Sequence, residues 1–268
     1  MDLAQFFAGR TGAARLPDGQ AAVLESVDLG MLRVRSGRLA LCDAIWLEAP
    51  LVVPVPPGEY RVGLTRAAVP ETYAITGHRD AYLSIVLSDS PTVRIEPARV
   101  EPDSTDWRDT PAGGLAGVPG LVGVPTTMYN IAVVDADAIA PGMPEDPDTW
   151  YESVVSGWFA TMDTDALGPH GTVNAVLPRS ATGDNIVVAL TGGGALPFPV
   201  IASCDASGRM TGVHVDLLAM GDLATALGAE IGPDRFLVEE QEAERQAEQR
   251  AERRGGIRGF WDRLTGRD

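Results

Sequence analysis

Short alternating runs of apolar and polar residues, each cut off by a Gly, Pro, Asp or Ser cluster, limit what this chain can form. Met31-Leu32-Arg33-Val34-Arg35 passes through Ser36-Gly37 into Arg38-Leu39-Ala40-Leu41-Cys42, a strand, a turn and a strand. Pro56-Pro57-Gly58 opens another alternating run, Glu59-Tyr60-Arg61-Val62-Gly63-Leu64. Ala81–Leu87 and Thr92–Ile95 follow, separated by Ser88-Asp89-Ser90-Pro91. The chain has 30 glycines and 20 prolines in 268 residues, roughly 19% against an average near 12%. Long helices are therefore not expected over most of it. The pattern predicts an α+β protein: a predominantly antiparallel β-sheet domain with a few short helices.

The second half continues in the same style. Tyr129–Val134, Asn185–Leu190, Val200–Cys204 and Gly212–Leu218 read as strands, the last two joined by the hairpin turn Asp205-Ala206-Ser207-Gly208. An acidic Pro-rich turn is expected from Pro141 to Pro147. Trp150, Val154, Val155, Trp158 and Phe159 lie on one face of a helix starting near Asp148. A short helix is expected over 218–230. The Gly-rich stretch Glu96–Pro125 reads as a loop.

The basic residues exclude whole chemistries. All 21 are Arg. The P-loop, the protein-kinase strand lysine, Schiff-base catalysis and the Ser-x-x-Lys acylation system each need a lysine. A GC-rich genome also produces such a composition. His78, His170 and His214 are too far apart in sequence to suggest a metal site. Cys42 and Cys204 form no Cys-x-x-Cys pair and read as small buried thiols in strands, a disulfide between them being the alternative. No metal or cofactor is expected. The formal net charge of −16 opposes non-specific nucleic-acid binding. The N-terminus has no basic, apolar leader, and no run approaches a membrane span, so a soluble cytoplasmic protein is expected.

Two segments carry a resemblance. Ser36–Asp43, followed by Val53-Pro54-Val55-Pro56-Pro57-Gly58-Glu59-Tyr60-Arg61-Val62, resembles the opening of the bacterial family named domain of unknown function 4241. Arg79–Ala98, the hairpin Asp205–Gly208 and Val215-Asp216-Leu217 are similar to its later segments, so the likeness covers roughly residues 28–220. It implies a mixed, β-rich fold and no established activity. The family pattern has Val-Asp-Ala-Gly-Thr where this chain has Val124-Pro125-Thr126-Thr127-Met128. It has Ser-Gly-Trp-Gly-Asp-Gly where this chain has Thr191-Gly192-Gly193-Gly194-Ala195-Leu196. Both carboxylates are gone, leaving Asp43, Asp135 and Asp216 as candidate catalytic residues. Asp43 and Asp216 either serve a site or bond backbone amides at strand ends. Thr191–Gly194 either cradles an anion or simply turns.

The tail is patterned differently. Residues 239–254 contain only Glu, Gln, Ala and Arg, with Ala243, Ala247 and Ala251 as the sole apolar positions. This predicts a solvated helical spacer. After Gly255-Gly256, Ile257, Phe260, Trp261 and Leu264 fall at i, i+3, i+4 and i+7, with Arg258, Arg263 and Arg267 around them. Two turns of helix are not stable alone in water. The stripe needs a surface: a groove on a protein partner, an anionic membrane, or the chain's own acidic body. The expected organisation is a β-rich domain over residues 12–230, a charged spacer over 231–254 and a docking peptide over 255–268. The leading functional expectation is a non-catalytic adaptor that binds its partner through Ile257, Phe260, Trp261, Arg263 and Leu264. The alternative is a hydrolase or small-ligand enzyme using Asp43, Asp135 and Asp216.

Overall fold

A computed structural model describes residues 1–70, 77–102, 120–126, 129–164, 166–191 and 197–226. The expected spacer and docking peptide lie outside the described residues.

The alternating runs form two antiparallel sheets rather than one. The larger takes β1 (Gly12–Arg15), β2 (Ala21–Val34), β5 (Gly58–Ala68), β6 (His78–Val86), β13 (Met210–Asp216), β12 (Phe198–Cys204) and β7 (Arg94–Pro97), in that spatial order, with β8 (Gly123–Val124) also paired to β12. The smaller takes β10 (Thr172–Val176), β11 (Asn185–Leu190), β9 (Asn130–Asp135), β3 (Arg38–Cys42) and β4 (Leu51–Pro54). The turn at Ser36-Gly37 therefore joins strands of different sheets. β2 pairs with β5, whereas β3 pairs with β4 and β9. Gly37 sits at φ +77°, and a side chain there would press on the Val55 carbonyl at 2.8 Å. That close approach lets the chain pass between layers.

The fold has three layers. Leu32, Val34, Val62, Leu64, Leu83, Ile85, Val213 and Val215 of the large sheet pack against Leu39, Leu41, Ile131, Val133, Val187 and Ala189 of the small one. The opposite face of the small sheet presents Ala40, Cys42, Ala132, Val134, Ile186 and Val188 to a helical layer. Both faces of its central strands are buried, which explains their continuous apolar runs. The helical layer holds α1 (Ala136–Gly142), a 3-10 turn (Pro147–Thr149), a π-helical turn (Tyr151–Val155) and α2 (Ser156–Thr161). Trp150, Val155 and Trp158 are buried in it, as their spacing predicts.

Some boundaries differ from the sequence reading. The expected turn at Pro141 lies in the last turn of α1, which Asp135 caps by accepting the Asp137 amide and which buries Ala138 and Ile139. α3 spans only Gly221–Ala226 among the described residues, because β13 runs to Asp216 and Leu218 takes a left-handed φ of +57°. Residues before 12 belong to the folded body, since Phe6 is buried. Cys42 and Cys204 are buried free thiols on different sheets, with no disulfide, and burial pushes the Cys42 thiol far up. No described helix is long and apolar enough to cross a membrane.

Candidate functional site

The three aspartates occupy three separate places. Asp43 follows β3. Its Oδ1 accepts from the Asn130 side-chain amide at 2.8 Å and from the Ile45 N–H at 3.0 Å. Asp135 ends β9, where it accepts from the Ser36 N–H at 2.9 Å, from the Ser36 hydroxyl and from the Asp137 N–H. The β3–β9 register puts Asp135 opposite Leu39, so the two carboxylates sit at opposite ends of that ladder, ~13 Å apart along the strand. Asp216 lies in the other sheet. Its Oδ2 accepts from the Tyr82 hydroxyl at 3.0 Å and its Oδ1 from the Leu218 N–H at 2.8 Å. Each carboxylate thus bonds backbone or neighbouring side chains at a strand end. Among the described residues no three His, Cys, Asp or Glu side chains are grouped to hold a metal. An apolar groove of about 550 Å³ beside Ala14, Ala22, Ala68 and Val69 contains none of the aspartates.

Two polar constellations emerge instead. The first lies on the large-sheet face turned away from the small sheet. Strand alternation places Tyr82 and Ser84 of β6 beside His214 and Asp216 of β13. His214 Nδ1 is 2.9 Å from Ser84 Oγ, and Nε2 is 2.9 Å from Ser203 Oγ. Ser203 continues to Thr211 at 2.8 Å, and Thr211 to the half-buried Thr92 at 3.1 Å. A neutral imidazole supplies one donor and one acceptor, matching its two serine neighbours. Burial holds His214 neutral by lowering its pKa to about 3. Burial raises Asp216 to about 7 against the opposing bonds from Leu218 and Tyr82. It also drives the Tyr82 phenol upward. Phe6 covers this row edge-on, its ring centroid 5.0 Å from His214 and 5.5 Å from Tyr82. The sequence contained only one signal for the row, a histidine at an alternate position of an apolar strand. Its partners come from strands far apart in sequence.

The second lies at one end of the small sheet. It lies where the end of β11 meets the start of β9. The Thr191 N–H donates to the Tyr129 carbonyl at 2.8 Å, and Asn130 pairs with Leu190. Asn130 Oδ1 accepts from the Ala44 N–H at 2.8 Å, which brings Asp43 to the same end. Among the described residues the buried Thr191 hydroxyl at this end has no hydrogen-bond partner, and neither has the buried Thr126 hydroxyl. An unsatisfied buried hydroxyl costs about 1–3 kcal/mol. Thr126→Val and Thr191→Val are therefore each expected to raise the melting temperature by roughly 2–4 °C, about 1 kcal/mol in a domain of this size. Differential scanning calorimetry reads the change; a fall in both variants would show that the hydroxyls are bonded. The Gly-rich residues 192–196 lie outside the described residues.

No family model, curated protein or solved structure matches the chain.

Proposed function

We propose that this protein is a non-catalytic interaction protein that docks onto a protein partner through residues 255–268. One observation carries the reading: Ile257, Phe260, Trp261 and Leu264 form an apolar stripe with arginines around it, on a segment too short to hide that stripe by itself. The structural bonding of Asp43, Asp135 and Asp216 supports it from the other side, since a carboxylate occupied with strand-end amides is poorly placed to act as acid or base. In this reading the chain is also a divergent relative of the 4241 family.

The test compares the tagged full chain with Phe260→Ala/Trp261→Ala, each expressed at native level, by quantitative co-purification. Each buried aromatic anchor is worth about 1.5–3 kcal/mol. Losing both should weaken docking by about 100-fold or more, with the melting temperature unchanged. An identical partner set in both samples sinks the proposal, as does binding to phosphatidylserine vesicles with no protein partner.

A second reading, small-ligand binding, is favoured by the buried hydroxyls of Thr126 and Thr191, which have no partner among the described residues, Thr191 lying at the sheet end that holds Asn130 and Asp43. It requires a small molecule retained by the native chain in non-denaturing mass spectrometry and lost in Thr126→Val/Thr191→Val. A ligand-free native spectrum counts against it.

A further inference from the structure

The first ten residues form a strap across the outer face of the large sheet, to which they add no strand. Phe6 is its buried anchor, set edge-on against Tyr82 and His214. The Gly9 N–H donates to Thr65 Oγ1 at 2.7 Å, and the Phe7 N–H bonds the Tyr82 hydroxyl. Much of the remaining bonding is internal: Arg10 reaches back to the Leu3 and Ala4 carbonyls at 2.8 and 3.2 Å, and its guanidinium lies 5.4 Å from the Phe7 ring centroid. Those contacts survive if the strap lifts. A segment with few ties to the body opens more readily than the strands beneath it.

The strap is wired to a buried carboxyl. Tyr82 Oη accepts from the Phe7 N–H and donates to Asp216 Oδ2 at 3.0 Å. Asp216 is 1% exposed. It lies opposite Tyr82 in the β6–β13 register, on the same face as His214. The chain after β13 closes on the strap as well: a side chain at Gly221 would lie 2.6 Å from the Gln5 carbonyl oxygen and 3.7 Å from the Phe7 ring. The strap and residues 217–221 thus meet over the corner of the sheet that holds Asp216.

We propose that the N-terminal strap is a pH-operated cover, closed while Asp216 carries its proton and lifted when Asp216 ionises. A carboxylate is poorly solvated beneath an apolar ring, and lifting Phe6 admits water to it. The hydrated carboxyl holds its proton less tightly than the covered one. Opening therefore releases a proton and is favoured as pH rises. The gain ends above the covered group's own titration, which burial places at about 7, because both states are then ionised.

The neighbouring titratable and charged groups are otherwise engaged. Asp80 of β6 is paired with Arg66 of β5 at 2.8 Å. His214, on the same strand as Asp216, lies between Ser84 and Ser203, and burial lowers it to about 3. Burial keeps the Tyr82 phenol protonated. On the strap, exposed Asp2 accepts from the Ala4 N–H, and Arg10 supplies a fixed positive charge. Asp222, in the first turn of α3, is exposed.

Hydrogen exchange of the full chain, read by NMR at the Phe7 and Gly9 amides from about pH 5 to 8, measures the opening. After correction for the intrinsic exchange rate, protection at both is expected to fall by up to about tenfold per pH unit towards about pH 7 and to level off above it. Dilute urea should leave that protection unchanged while lowering it at the β6 and β13 amides, which marks local opening rather than unfolding of the sheet. In Asp216→Asn the strap should keep its acid-side protection throughout. Thr65→Val removes a tie of the strap and leaves Phe7, Tyr82 and Asp216 in place. It should lower the Asp216 titration midpoint, read by carboxyl ¹³C NMR, and it decides the matter if Asp216→Asn does not fold. Protection that ignores pH in the wild type overturns the proposal. So does a pH dependence retained in Asp216→Asn, an Asp216 midpoint unmoved in Thr65→Val, or equal urea sensitivity in strap and sheet.

Discussion

The stability difference between wild type and Asp216→Asn is expected to shrink by about 1.4 kcal/mol for each pH unit between about pH 4 and 7. Burial raises Asp216 from 3.8 to about 7. In that window the folded chain keeps the proton and the unfolded chain has released it. Protons bound in the unfolded state are fewer, so the stability that Asp216 contributes is complete below the unfolded value and is lost as pH rises through the folded one. Summed over the window the effect is roughly 4 kcal/mol. His214 works in the opposite sense. Burial lowers it from 6.5 to about 3, so its neutral packing is fully favourable above the unfolded value and is lost as pH falls. The difference between wild type and His214→Gln should therefore grow with pH between about 3 and 6.5. Urea unfolding of the three proteins across the pH range reads both slopes. Slopes of the same sign, or a flat Asp216→Asn difference, would overturn the assignment of a protonated Asp216 beside a neutral His214.

Removing one member of the Arg66–Asp80 pair is expected to cost about 3–5 kcal/mol, a fall in melting temperature of roughly 6–20 °C. The guanidinium Nε donates to Asp80 Oδ1 at 2.8 Å, and an Nη donates to the His170 carbonyl at 2.6 Å. The side chains are only 8% and 9% exposed. Burial raises the Asp80 pKa even though Arg66 pulls against it, so desolvation is the larger effect and the pair is not a strong net stabiliser. Its value shows when it is broken. Asp80→Ala leaves a buried guanidinium with one partner lost, and Arg66→Ala leaves a buried carboxylate. The double replacement Arg66→Met/Asp80→Leu removes both charges and should recover most of the loss. Thermal melts of the three variants decide the matter. If the double variant is as unstable as the singles, the cost lies in packing and in the lost His170 contact rather than in the orphaned charge.

The amount legible before any coordinates differs by level. Runs such as Leu39–Cys42, Asn185–Leu190 and the hairpin flanking Asp205–Gly208 announced themselves, because side-chain alternation and turn chemistry are local properties. The stripe of Trp150, Val155 and Trp158 was equally readable from its helical period. The sheet that each strand joins was not. Ser36-Gly37 reads the same whether it closes a hairpin or hands the chain from one sheet to the other, since pairing partners lie tens of residues away. The aspartates show the same divide. Their identity and strand-end positions were visible. Their separation, Asp43 and Asp135 at opposite ends of one ladder and Asp216 in another layer, depends on register and layer assignment.

The sequence by itself determined the class and the exclusion of lysine chemistry. Those follow from composition and short-range periodicity. Tertiary structure decided that His214 is bracketed by Ser84 and Ser203, that Phe6 roofs that row, and that Tyr129 and Thr191 meet at one end of the small sheet. The physical reason is that such groups meet only through long-range strand pairing, which satisfies the backbone in bulk and brings together side chains that no local pattern couples.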